Sequence, residues 1–371
     1  MRRYEVRAVL QGNQKFFCIY DSETFDIALL PTKYLKYKVT TGLSPKTVQH
    51  IARALCYYMN YLTEQDMELE QIAELPYEEQ NSHFIHFLYW VKEGNHLLKK
   101  RKDVTGNGTC NAYLKDVFGF FAYLDSCGYT RSLRIFSYDQ ITIANAYGVK
   151  RTIRARSFKG YMKPKERNVR AAEETEIIRV LAACTNIRDQ LLLLLLAETG
   201  FRIGELLGID YIRDIDYEEH TIRVFFREDN ENEARAKNAE YRRSKISEDT
   251  FRFLLHYLHE YQKLLQHQSY LFINISGDTA GKPLKVESVY DMLKRMQKKT
   301  GIKLTPHMLR RYFARVRWDA GWSFELLSRA LGHKHLDTTI RYLGVLDDKL
   351  MKASQEFYEK YSGIYGLDDF L

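Results

Sequence analysis

Residues 305–321 read "TPHMLRRYFARVRWDAG", and the fold turns on how this stretch is read. Thr305 is a good helix cap and Pro306 suits the first helical position, so a helix starts here. His307 and Arg310 are then three residues apart and share a face, where they can reach one anion together. The plainer reading, on this segment alone, makes His307 part of the cap and Arg310 a surface charge.

Reading outward, "SFELLSRALGH" (323–333) supplies Ser323 as a cap and Gly332 as a left-handed stop, which sets His333 just past a helix end. "LDTTIRYLGV" (336–345) restarts a helix, with Asp337 or Thr338 as cap and Tyr342 inside it. Upstream, "LLLLLLAETGFRIGELLGI" (191–209) places Arg202 between apolar runs. A cation there is costly unless it is paired or holds an anion, and Glu205 is near enough in sequence to pair with it. After Gly208 the pattern turns short and alternating in "HTIRVFFRED" and again in "YRRSKIS", which predicts a small sheet inserted among helices.

A chain of 371 residues predicts two or three units, and 45% hydrophobic with 28% charged residues suits a globular protein with real cores. No apolar run of about 18 residues occurs, and "MRRYEVRAVLQG" lacks the apolar centre of a signal peptide, so a cytoplasmic, non-membrane protein is expected. The 5 cysteines are scattered without a CxxC pair, and neither zinc spacing nor HExxH is found. Reduced thiols, no metal site and no cofactor are the expectation.

The formal charge of +8 permits a polyanionic partner. Its distribution says more. Residues 151–170, "RTIRARSFKGYMKPKERNVR", hold eight basic residues against one acid, Glu166. This is either a solvated surface or a connector lying along a phosphate backbone.

Five segments follow from these patterns. Residues 1–40 open with two β-prone runs around a Gly-Asn turn, a hairpin-like extension. Residues 41–150 read as a helical domain, beginning with Ser44 as cap, Pro45 at the first position and a stripe of Val48, Ile51, Leu55, Met59 and Leu62. Phe84, Phe87, Trp90, Phe120 and Phe121 recur at helical spacing and are assigned to its core. Residues 151–172 form the basic linker, 173–345 the domain carrying the motifs above, and 346–371 a partly amphipathic tail.

The ordered set "TGFRIGELLGI", "HMLRRYFARVRWDAG" and "LGHKHLDTTIRYLGV" resembles the tyrosine recombinases, also called phage-type integrases. The resemblance covers roughly 175–345 specifically. It implies a mainly α fold with a small antiparallel β-sheet, made of a helical core-type DNA-binding domain and a mixed α/β catalytic domain. It implies a metal-independent enzyme that cuts and rejoins DNA through a covalent 3′-phosphotyrosyl intermediate. Arg202 resembles the first catalytic arginine, His307 and Arg310 the His-x-x-Arg pair, His333 the histidine of Leu-Gly-His, and Tyr342 the nucleophile.

The family's β-turn lysine is matched by Lys237, with Lys245 on the outgoing strand as the alternative. DNA contacts are expected from Arg151, Arg154, Arg156, Lys159, Lys163, Lys165 and Arg311, and phosphate contacts also from Arg315 and Arg317. Partners implied are double-stranded DNA with specific recombination sites, a homo-tetramer on two such sites with the tail docking on a neighbouring protomer or else packing on its own domain, and an accessory directionality factor. The role implied is integration or excision of a mobile element. The alternatives are a type IB topoisomerase, which has the same chemistry without synapsis, and a DNA-binding protein without catalysis.

Overall fold

The computed structural model describes residues 2–12, 14–98, 104–144, 150–164, 170–225, 227, 230–232, 234, 241–333, 339, 354–357 and 359–360, and in the strands within 137–157 chiefly the backbone. The chain divides into two compact units, Met1–Arg167 and Asn168–Leu371. The architecture is mainly α with small antiparallel sheets, as the sequence pattern expects.

The first unit opens with strands β1 (Tyr4–Gln11) and β2 (Gln14–Asp21), paired antiparallel from Tyr4↔Asp21 to Gln11↔Gln14. Helices α1 (Leu29–Thr40), α2 (Pro45–Glu64), α3 (Leu69–Glu74), α4 (Tyr77–Lys92) and α5 (Asn107–Ser126) follow. The segment read as a hairpin-like extension therefore also holds a helix, and the hairpin shares the unit's core instead of standing apart. The period-2 alternation of β2 points Phe17 and Ile19 into the same cluster as Val48, Ile51 and Leu55 of α2. Buried Asn60 of α2 ties the strand edge down, accepting from Tyr4 N–H at 3.0 Å and donating to Tyr4 O at 2.9 Å. Helix α2 starts where expected, Ser44 Oγ accepting from Thr47 N–H at 3.2 Å ahead of Pro45. Phe84, Phe87, Trp90, Phe120 and Phe121 are all buried.

The unit closes with β3 (Ser137–Ala144) and β4 (Lys150–Ser157), an antiparallel pair in which Arg154 stands opposite Gln140 and Arg156 opposite Tyr138. Much of the stretch expected to be a linker is thus a strand. Its Thr and Ile residues favour extended backbone, a signal masked by the density of charge around them.

In the second unit come α6 (Glu174–Ala183), α7 (Ile187–Thr199), α8 (Ile203–Leu206), β5 (Ile215–Asp216), β6 (Thr221–Val224) and β7 (Arg242–Lys245). After these are α9 (Glu248–Glu260), α10 (Gln262–Leu265), α11 (Val286–Thr300), α12 (Pro306–Asp319) and α13 (Phe324–Leu331). Helix α7 is apolar almost all round and sits in the core, where Leu191, Leu192, Leu193, Leu195 and Leu196 have no exposed surface. Strands β5, β6 and β7 form one antiparallel sheet with β6 in the middle, and Val224 faces Arg242 across it. Thr305 Oγ1 caps α12 by accepting from Met308 N–H at 3.2 Å, and Ser323 Oγ caps α13 by accepting from Leu326 N–H at 3.3 Å. Among the described residues no helix is long and apolar enough to cross a membrane.

Candidate active site

Two helix ends and one strand build the site. Helix α7 stops at Gly200 (φ 65°) and α13 at Gly332 (φ 61°), both left-handed. A helix leaves its last carbonyls without intrahelical partners and carries partial negative charge at that end. Arginines serve those carbonyls here. Arg310 Nη1 donates to Gly200 O at 2.7 Å and its Nη2 to Leu331 O, while Arg202 Nη2 donates to Gly332 O at 3.3 Å.

Arg310 is 2% exposed, so the plain reading of it as a surface charge fails. The pairing of Arg202 with Glu205 is present. Nη1 of Arg202 donates to Oε1 of Glu205 at 2.8 Å, and the Arg202 backbone N–H donates to Oε2 at 2.6 Å. Arg202 still keeps about a quarter of its side chain open, at 24% exposure. A second cation on the same carboxylate comes from β7, where Arg242 donates to both Glu205 oxygens. Burial pushes the Glu205 carboxyl up, but Arg242 and then Arg202 more than reverse this, and the group lies below the usual carboxylate range.

Both histidines are held below the ordinary histidine range. His333 is pushed down to about 3 by burial and then by Arg310, Arg202 and Arg242. Its Nε2 lies 3.1 Å from Arg310 Nη2 and its Nδ1 lies 2.9 Å from Thr339 Oγ1. A guanidinium has no acceptor, so Nε2 carries the lone pair and the Nδ1–H points at the threonine hydroxyl. In this arrangement the ring braces Arg310 and has no N–H left for an anion. His307, in the first turn of α12, is exposed as a residue, yet its ring is withdrawn enough from water to be held below the ordinary histidine range. Arg311, Arg310 and Arg202 push the same way.

The structure therefore brings Arg202, Arg310 and His333 into one hydrogen-bonded group, with His307 close enough to feel both arginines. Lys237, Lys165 and Tyr342 lie outside the described residues. Lys245 is exposed on β7, opposite Thr221, and lines a cleft of about 1110 Å³ together with Arg243, Arg329 and His333. Lys159 and Lys163 are exposed, and Arg151, Arg154 and Arg156 lie on β4. Arg311 is half-buried.

Of the two further arginines expected to touch phosphate, Arg317 is otherwise engaged. Arg317 stacks on Phe313 at 4.0 Å and donates to Glu198 O at 2.9 Å, because its position on α12 faces the cluster of Phe313, Ala314 and Leu331. Arg315 lies 3.7 Å from Glu173 and 3.9 Å from Asp319. Sequence reasoning missed Arg242 and Thr339. The only signal for Arg242 is the alternation of "YRRSK", which does not say which arginine turns inward.

Residues 167–349 match the Phage integrase family. Over 346 residues the chain is 30% identical to transposase A of transposon Tn554 from Staphylococcus aureus, covering 86% of this chain and 88% of that protein. The chain belongs to the phage integrase family. This tyrosine recombinase is also 35% identical over 187 residues to tyrosine recombinase XerA of Saccharolobus solfataricus, covering 50% of the one and 56% of the other.

Two of the solved structures that share its fold illustrate the likeness. One is the XerH site-specific recombinase bound to its palindromic difH substrate (TM-score 0.59, 18% identity, 87% of this chain and 82% of that one). The other is a lambda integrase dimer bound to a core site (TM-score 0.57, 14% identity, 85% and 94%). Members of the family are site-specific recombinases, and this chain is an enzyme of that kind.

Proposed function

We propose that this recombinase cuts and rejoins double-stranded DNA at specific recombination sites through Tyr342, moving a mobile element into or out of its host DNA. The observation that carries the reading is the convergence of Arg202 and Arg310 on two helix C-termini, with neutral His333 bonded to Arg310.

In the proposed reaction the Tyr342 oxygen attacks phosphorus, its proton passes to His307, and the bond from phosphorus to the 5′-oxygen breaks. A lysine, Lys237 or else Lys245, protonates the leaving 5′-oxygen. The phosphodiester energy is kept in the 3′-phosphotyrosyl bond until a 5′-hydroxyl of the partner strand attacks and frees the tyrosine. Charge gathering on the non-bridging oxygens is met by Arg202 and Arg310, whose forked donors match phosphate geometry. Donation by His333 to the same oxygens requires its Nε2 to carry the proton, and that follows once Arg310 turns its Nη2 to the phosphate.

DNA is held in this reading by Arg151, Arg154, Arg156, Lys159, Lys163, Lys165 and Arg311, with the unit before residue 167 acting as the core-type DNA-binding domain. The working assembly is a homo-tetramer on two sites in the cytoplasm, tails exchanged between protomers, with an accessory factor setting direction. Two features support the DNA partner: the basic stretch at 151–170, and the likeness in fold to XerH bound to its difH substrate and to lambda integrase bound to a core site.

The test incubates the enzyme with nicked duplexes made from the DNA flanking its own gene, without magnesium, beside Tyr342→Phe. The expected result is a denaturant-resistant adduct that needs both Tyr342 and one flank sequence. Adducts on any sequence would replace recombination by topoisomerase-like relaxation, and an adduct formed by Tyr342→Phe would remove the nucleophile from the proposal.

A further inference from the structure

We propose that Arg242 is a positioning residue that holds Arg202 ready for phosphate by occupying the far side of Glu205. The inference rests on the recombinase reading of Arg202 and adds a residue to it.

Arg242 is 9% exposed, which is rare for a cation without a structural reason, and β7 delivers it from a strand that the site's helices do not share. Its two terminal nitrogens both address Glu205, and its guanidinium carbon lies 5.2 Å over the ring of Phe201, the residue before Arg202. On its other side it fills the space beside Gly332, where an added Cβ would stand 2.3 Å from Nη1. One side chain thus touches the carboxylate that binds Arg202, the ring next to Arg202, and the turn whose carbonyl receives Arg202 Nη2.

Glu205 is 4% exposed and ionised, so it draws whatever guanidinium donors it can reach. With Arg242 in place, the Arg202 side chain meets that carboxylate through Nη1 alone. Without Arg242 the remaining lone pairs of a buried carboxylate have as a forked donor Arg202, already bonded to Oε1, since Arg310 Nη1, 4.0 Å from Oε2, is held by Gly200 O. A bidentate pair would then form, because an unpaired buried charge costs far more than a rotamer change. Arg202 would turn inward, and the donors meant for phosphate would be lost to Glu205.

The experiment compares wild type, Arg242→Gln and Arg242→Lys in two readouts. The first is adduct formation on the productive flank duplex, with either the natural phosphodiester or a methylphosphonate at the cleavage position. A methylphosphonate lacks the non-bridging negative charge that Arg202 is there to meet. Arg242→Gln is expected to slow phosphodiester cleavage about a hundredfold, the scale of an ångström-level misplacement, and to leave the methylphosphonate rate nearly unchanged. Equal losses on both substrates would reduce Arg242 to a fold-stabilising residue.

The second readout needs no DNA: modification of Arg202 by phenylglyoxal, followed by peptide mass spectrometry on the whole chain. Lower Arg202 reactivity in Arg242→Gln supports the inward turn, and unchanged reactivity overturns it even if no adduct is ever seen with wild type. Arg242→Lys keeps a cation on Glu205 and covers a Gln variant that does not fold. It is expected to restore part of both signals, and failure to restore either counts against the proposal.

Discussion

Among the described residues, three helices of the second unit end on a left-handed glycine, and their surroundings make a controlled experiment. Gly301 (φ 75°) has nothing within 4 Å of where a Cβ would stand, whereas at Gly200 (φ 65°) the ring of Phe313 lies 2.5, 2.7 and 2.9 Å away. Alanine at either site bears the left-handed cost, about 1 kcal/mol. At Gly200 it must also push an aromatic ring back by about 1 Å to reach ordinary contact. Phe313 is 2% exposed and carries Arg317 stacked at 4.0 Å, so the ring cannot retreat without moving that guanidinium.

Overpacking of this kind costs about 1–3 kcal/mol, so Gly200→Ala should destabilise by about 2–4 kcal/mol and Gly301→Ala by about 1 kcal/mol. Phe313→Leu in the Gly200→Ala background should recover part of the difference. The assay is urea unfolding followed by fluorescence in a Trp90→Phe background, which leaves Trp318 and Trp322 as reporters within the second unit. Because Gly200 O accepts from Arg310, adduct formation should fall as well. Equal costs at the two glycines, or no recovery with leucine, would refute the argument from close packing.

Two further outcomes are expected. Below pH about 6.5 an unfolded His333 takes up a proton that the folded residue refuses until about pH 3. The stability tied to this residue is therefore complete above about pH 6.5 and is lost as pH falls, about 2 kcal/mol by pH 5. His333→Gln should flatten that part of the pH–stability curve, and parallel curves for the two proteins would dismiss the buried neutral ring. In the first unit, Asn60→Ala removes both side-chain bonds to Tyr4 and should cost about 1–3 kcal/mol while speeding hydrogen exchange in β1. Unchanged protection of β1 would show that the hairpin is held by its apolar face alone.

What the sequence made legible is what local chemistry decides. Ser44-Pro45, Thr305-Pro306 and Ser323 start helices because cap and first-turn preferences act over three or four residues, and Gly200 and Gly332 stop them for the same reason. Helix ends then fix where Arg202 and His333 stand, while their grouping with Arg310 in one site came from the resemblance to the tyrosine recombinases. Arg242 was not legible. Whether it or Arg243 turns inward depends on strand register, set by the pairing of Val224 with Arg242 across the sheet. The burial of Arg317 was hidden for a related reason. On a helix rich in arginine the charge pattern suggests a basic face, and only the packed ring of Phe313 decides that one of those side chains lies down on it.

The charge state of the site follows from the same contacts. Arg202, Arg242 and Arg310 surround the single carboxylate of Glu205, and together with the lone-pair ends of two helices they leave an excess of fixed positive charge. Burial comes first in holding His333 and His307 below the ordinary histidine range, and that excess pushes both further the same way. A neutral His307 is also the only form that can accept a proton from a tyrosine hydroxyl. The cations that would meet the developing phosphate charge therefore also prepare the base, and one perturbation should show both effects. Removing Arg242 lowers the field on His333 directly, so its titration should rise in Arg242→Gln even without DNA. Side-chain NMR of His333 would read that shift. A ring whose titration does not move would mean that burial alone keeps it neutral, and the link between the arginine cluster and the state of the histidines would be lost.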